Sequence, residues 1–208
     1  MAHDTTRSED AAVTARALEI VEGNRYLVIA TASPDGTPWV TPVYFAHAGL
    51  STFWWVSSPE SRHSRLIAAN PRVALTVFDS SVEIGQAAAL YAEASATMCS
   101  DAEVATEIRS FSDRLVAHGA GPWHAGMVTG SARLRLYRAR TTSVDVLAED
   151  DAPTGASRCH HLRLRPTSTR QRDRRREHLE PSRRYPGPPA APGRRSGRAG
   201  RSSRRCRR

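Results

Sequence analysis

The chain has no lysine; all 30 of its basic residues are arginine. It has only three cysteines in 208 residues, Cys99, Cys159 and Cys206. Their number and separations build no even disulfide framework and match no metal-ligand spacing. The expected compartment is therefore a reducing cytoplasm. No window approaches a run of about 18 uninterrupted apolar residues, so no helical membrane span is expected. The stretch "MAHDTTRSED" is polar and acidic and does not read as a signal peptide. The patterns G-x-G-x-x-G and G-x-x-x-x-G-K-[ST] are missing, which argues against a dinucleotide-binding βαβ unit and a P-loop. No G-x-S-x-G elbow occurs, so Ser-His-Asp hydrolysis is set aside.

The charge that is present is unevenly distributed. The formal net charge of +9 suggests a nucleic-acid binder only on average. Residues 1–155 carry 12 Arg against 18 Asp and Glu, a net −6. Residues 156–208 carry 18 Arg against 3 acids, a net +15. The first part reads as a mildly acidic globular domain. The second is rich in Arg and Pro, with few aliphatic residues and no periodicity. It cannot bury enough surface to offset its ordering entropy, so disorder is expected there. Three readings of this tail compete: a solvated extension, an arm whose arginines bind nucleic-acid phosphates, and a shifted reading frame of GC-rich coding DNA. The third accounts for the composition, since such frames yield Arg, Pro, Ala, Gly and Ser. It predicts that a chain ending near Gly155 keeps its fold.

Periodicity sets out the elements of the first part. Val13, Ala17, Ile20 and Val21 recur at helical spacing in residues 8–24, with Gly23 as a C′ stop. Residues 25–32 and 37–46 read as strands around the turn "SPDG", and 47–50 ("HAGL") as a second turn before a third strand, 51–57. A short helix over 60–70 closes at Asn70-Pro71. Strands follow over 72–79 and 87–98. A second long helix opens with the capping box Ser100/Glu103, shows the stripe Val104, Ile108, Phe111 and Leu115, and ends at Gly119. A last strand covers 131–139. The fold class is mainly β with flanking helices, a small antiparallel barrel rather than a βαβ domain.

One stretch carries chemistry: "FWWVSSPESRHSRL", residues 53–66. An aromatic strand empties into Ser57, Ser58 and Ser61, and then a helix starts with Arg62, His63 and Arg65. Hydroxyls, unpaired first-turn N–H groups and a guanidinium together build an anion site. The bland alternative is a capped turn with solvated arginines, and spacing alone leaves the two even. Trp54 and Trp55 alternate, so one is expected inward and one outward or against a partner. His118 and His124 flank a loop with Trp123; no Cys, Asp or Glu shares their pattern. A substrate-mouth loop with Trp123 as lid is favoured over a metal site.

Residues 24–79 resemble the flavin-binding split barrel of the pyridoxamine 5′-phosphate oxidase-like family. The pieces are the "ATASPDGTP" hairpin, the "PVYF" strand, the Ser61-Arg62-His63 triplet and the "NPRVAL" strand. The likeness extends over about residues 10–147. It implies a six-stranded antiparallel Greek-key split barrel that forms a homodimer with FMN at the interface. It puts Val56 and Ser57 at the cofactor contacts that end the third strand, with Ser61 beside them. Arg62 and His63 fall at the two phosphate cations, where His63 departs from the usual lysine and is a full cation only below its ordinary pKa or beside a phosphate dianion. Val40, Thr41, Pro42 and Val43 fall on the strand lining the isoalloxazine ring, and Gln86 near a ring-contacting glutamine, with an offset of one residue. The resulting expectation is a flavin-dependent oxidoreductase acting on a small molecule. The alternatives are a reductase using the deazaflavin F-420, a non-catalytic flavin-binding protein and, last, an Arg-tailed nucleic-acid binder. "RLRLYRARTT" is not the substrate motif of the oxidases proper, so vitamin B6 oxidation itself is not expected.

Overall fold

A computed structural model of the chain describes residues 2–83, 86–147 and 159–162, with side chains from residue 10 onward. The elements run in the order α1 (Ala2–Gly23), β1 (Tyr26–Ala32), β2 (Pro38–Tyr44), β3 (Ala46–Ala48), β4 (Thr52–Ser57), α2 (Arg62–Ala69), β5 (Arg72–Phe78), β6 (Ala89–Met98), α3 (Asp101–Ala117), a 3-10 turn (Ala125–Met127), β7 (Arg135–Leu147) and β8 (Cys159–Leu162). All strands belong to one curled antiparallel sheet. Its order is β2-β1-β5-β6-β7-β4-β3, and β8 adds to β7 beyond the end of β4. No helix among the described residues is long and apolar enough to cross a membrane.

Two cores form because the strands alternate. On the concave face Leu27, Ile29, Phe53, Trp55, Leu75, Val77, Leu90 and Tyr137 pack with Ala17, Ile20 and Val21 of α1 and Ile67 of α2. On the other face of β3, β4 and β7, residues Ala46, Trp54 and Leu136 meet Val104, Ile108 and Phe111 of α3. The capping box forms as expected: the Ser100 side chain accepts from the Glu103 N–H, and the Glu103 carboxylate accepts from the Ser100 N–H at 2.8 Å. Gly119, at φ +82°, turns the chain out of α3 with its N–H on the Val116 carbonyl.

The six strands read from periodicity are β1, β2, β4, β5, β6 and β7, and the structure differs from that reading in four places. The stretch 37–46 is not one strand; it breaks at the fully buried Phe45, and Ala46–Ala48 pairs with β4 where a turn was expected. Strand β7 continues to Leu147 rather than ending at Ala139, with a bulge opposite Glu93 and Ala94. Cys159–Leu162, placed by composition in the disordered tail, pairs with Val144–Leu147 and buries Leu162 in the core. The rest of the tail lies outside the described residues. Gly23 is the last residue of α1 rather than its C′ stop. The carbonyls there are taken by side chains instead: Asn24 Nδ2 donates to Ile20 at 2.8 Å, and Arg114 Nη2 donates to Val21 at 2.6 Å and to Asn24 at 2.9 Å.

Candidate anion-binding corner between β4 and α2

Strand β4 delivers its residues to two faces. Phe53 and Trp55 enter the concave core, with Ser57 next on that side, while Trp54 and Val56 face α3. Both tryptophans are buried, which corrects the expectation that one points outward. Trp55 stacks on Tyr137 at 5.8 Å, and Trp54 Nε1 donates to Glu107 at 2.6 Å. The sheet is covered on both faces here, because α3 packs where solvent or a partner was expected.

At the end of β4 the hydroxyls converge. Ser57 Oγ lies 3.2 Å from Ser61 Oγ, and Ser61 Oγ lies 2.8 Å from Ser64 Oγ and 3.2 Å from His63 Nε2. Ser61 is the N-cap of α2 and accepts from the Ser64 N–H at 3.3 Å. The N–H groups of Arg62 and His63 have no carbonyl a turn earlier inside the helix, so the positive end of α2 faces this corner.

The two arginines of α2 are used differently. Arg65 reaches back to Glu60, through its carbonyl oxygen and, at 3.9 Å, its carboxylate. Arg62 has no carboxylate or carbonyl partner among the described residues; its guanidinium carbon sits 4.1 Å above the centre of the Trp39 ring. Trp39 Nε1 donates in turn to Thr41 Oγ1 at 2.8 Å, fixing the indole on the edge strand β2. His63 is 6% exposed, and burial pushes its pKa below 6.5. Burial thus favours the neutral ring at the position that the resemblance gives to a phosphate cation.

The other residues singled out from sequence are scattered around this corner. Along β2, Val40 pairs with Ala30 and Pro42 with Val28, so these side chains lie on the convex face, while Thr41 and Val43 lie on the concave one. The four therefore share a strand but not a surface. The Val56 side chain packs against the α3 core, so only its backbone is available to the corner. Gln86 is exposed in the loop before β6, its N–H on the Glu83 carbonyl, and no described contact joins it to the corner. Trp123 packs edge-on against Phe111 at 5.9 Å and anchors its N–H on Ser112; it belongs to a core rather than a lid. His118 lies 3.0 Å from the Tyr44 hydroxyl. Among the described residues no three His, Cys, Asp or Glu side chains gather as metal ligands. Cys99 is buried beside Glu107 and its thiol is pushed up to about 12, which leaves it protonated and poorly nucleophilic.

Sequence reading missed Trp39. Its signal was present: it stands two residues before Thr41, hence on the same strand face, on a strand whose Pro38 and Pro42 mark a sheet edge. Arg138 was also missed. It forks between Glu107 and Glu103, at 2.8 Å to the latter, and the Ser100 N–H together with this arginine draws Glu103 down to about 2.

A curled antiparallel sheet in this order, with a polar corner between its fourth strand and a short helix, is a split-barrel fold. The chain belongs to the pyridoxamine 5′-phosphate oxidase family, whose sequence profile matches residues 13–143. No curated protein matches the chain. Among solved structures it is similar to a heme-binding protein from Mycobacterium smegmatis, at 16% identity and a TM-score of 0.55, covering 71% of this chain and 57% of that one. It is similar also to ChuZ from Campylobacter jejuni, at 12% identity and a TM-score of 0.53, covering 66% of this chain and 56% of that one. The chain thus spans little more than half the length of these two proteins, and the likeness is one of fold.

Proposed function

We propose that this protein is a flavin-dependent oxidoreductase that holds the phosphate of FMN at the corner between β4 and α2. One observation carries the reading: Arg62 is the first residue of α2, directly after the N-cap Ser61 whose hydroxyl meets that of Ser57, and it has no anionic partner among the described residues. The donor set fits a phosphate ester. A guanidinium gives bidentate, charge-assisted bonds, the Ser57 hydroxyl can turn its proton to an oxygen while that of Ser61 is given to Ser64 Oγ at 2.8 Å, and the first-turn N–H groups add the helix dipole. A dianion there would also favour the protonated form of His63.

When bound, FMN supplies the redox chemistry, taking up and returning a hydride equivalent. The chain's own part is to bind, to orient and to exclude water. In this reading Thr41 and the neighbouring backbone of β2, the strand that holds Trp39 and through it Arg62, face the flavin ring. The substrate is a small molecule other than a vitamin B6 phosphate. Two arginines of β7 that could have gripped such a substrate are committed internally, Arg135 to the carbonyls of Gly130, Ala132 and Leu134, and Arg138 to the two glutamates.

A homodimer completes the proposal. The convex face of β2, β1, β5 and β6 carries exposed apolar side chains: Val40 is 60% exposed, Tyr26 62%, Phe78 45% and Tyr91 41%. A hollow of about 390 Å³ runs across it, lined by Val28, Ala30, Val40, Ala74 and Tyr91 and, on its polar side, by Thr76, Glu93 and Asp145. A second copy would cover this surface and close the cofactor site from the β2 side.

The test is to purify the full chain, denature it and identify the released small molecule by mass spectrometry, with reconstitution by FMN, F-420 and heme run in parallel. Uptake of FMN with bleaching by NAD(P)H and reoxidation in air supports the enzyme. FMN uptake without turnover leaves a storage protein. F-420 uptake alone moves the assignment to the deazaflavin, and heme uptake alone overturns it. Arg62→Ala should weaken cofactor retention by one to two orders of magnitude, from the roughly 1.5–3 kcal/mol of a charge-assisted contact. Unchanged retention would remove Arg62 from the site.

A further inference from the structure

We infer that Trp39 is a positioning residue for Arg62: the indole holds the guanidinium at the anion corner while leaving its N–H donors free. This rests on the reading of that corner as a phosphate site. Three observations converge on it. The guanidinium carbon lies 4.1 Å from the ring centre, within the range of a cation–π contact. Arg62 has no acidic partner among the described residues, whereas Arg65, three positions on, is held by Glu60. The indole is itself held, because its Nε1 donates to Thr41 Oγ1 at 2.8 Å on a strand paired to β1 along its length.

The chemistry explains why an aromatic ring serves here. An arginine side chain carries about 2 kcal/mol of rotamer entropy that a ligand must otherwise overcome on binding. A carboxylate would order it equally well, but would consume the donors and neutralise the charge that the phosphate needs. The ring attracts the cation through its face and takes no N–H in the plane. Trp39 therefore organises Arg62 and leaves its charge available. It also couples β2 to α2, so that the cation is set by the strand that would line the cofactor ring.

The experiment is a double-mutant cycle on the full chain, with FMN and F-420 as probes. Trp39→Leu should weaken retention about threefold to fivefold, the size of an exposed cation–π contact. In the Arg62→Ala background the same change should cost nothing further. Trp39→Phe keeps a ring and should fall between the two, which also guards against a Leu variant that folds poorly. A readout independent of any cofactor is the Arg62 Nε–Hε NMR resonance, shifted upfield by the indole ring current in the parent and returned to the normal range in Trp39→Leu. An unshifted parent resonance, or an equal Trp39→Leu loss in both backgrounds, overturns the positioning role while leaving the phosphate corner intact. Failure of the parent to take up either probe removes the corner's assignment, and the role of Trp39 with it.

Discussion

Among single residues, burial makes three histidines of this chain weaker bases than the free side chain. His63 stands where a cation is expected, yet its ring is inside the molecule, 3.2 Å from Ser61 Oγ, and burial lowers its pKa. His47 and His118 are lowered as well, in both cases first by burial and then by the charge of Arg114. A base whose pKa falls on folding binds its proton more readily in the unfolded chain. Its contribution to stability is therefore complete above pH 6.5 and is lost as the pH drops from 6.5 through the lower folded value. His63→Gln keeps a hydrogen-bonding group for Ser61 and removes one of the three contributions. The urea midpoint of the variant should fall less steeply than the parent's on acidification below pH 6.5, and identical slopes would return His63 to the solvated class. Spacing could announce the residue types of the corner, but not the burial that sets their charge.

At the scale of elements, what was legible followed alternation and capping chemistry. Strand β5 buries Val73, Leu75 and Val77 and leaves Ala74 exposed and Thr76 half-buried between them, and Ser100 with Glu103 marks the start of α3. What was not legible depended on distant partners. Ala46–Ala48 is a strand only because β4 lies beside it, and α1 needs no glycine at C′ because Asn24 and, some 90 residues on, Arg114 take its last carbonyls. Strand β2 shows the same limit. Its sequence "PWVTPVY" marks an edge strand through its two prolines but does not reveal that Val40 is left exposed on one face of that edge. An edge of this kind invites pairing unless something covers it. If a second copy covers it, Val40→Arg places a long charged side chain in the interface at a cost on the order of a few kcal/mol. Sedimentation should then show a monomer at concentrations where the parent is a dimer, and cofactor retention should fall with it. A variant with the parent's sedimentation coefficient would place the interface elsewhere.

At the scale of the whole molecule, the boundary read from charge and the boundary set by packing differ by a few residues. Composition divides the chain near residue 156, and on that division alone a protein ending at Gly155 folds normally. Packing contradicts this. Leu162 is 4% exposed within the main core, the backbone of Cys159–Leu162 pairs with Val144–Leu147, and His161 lies 3.1 Å from the Asp145 carboxylate. Removing β8 strips a buried leucine, about 1.5–3 kcal/mol, and returns one edge of β7 to water. A chain ending at Gly155 should therefore melt roughly 5–10 °C below one ending after Leu162. The longer truncation lacks 17 of the 30 arginines and keeps every described strand. It should match the full chain in melting temperature and in cofactor retention. Equal melting of the two truncations would mean that β8 adds nothing to the domain. A loss of cofactor in the longer one would mean that the arginine-rich segment takes part in binding, which the corner between β4 and α2 gives no reason to expect.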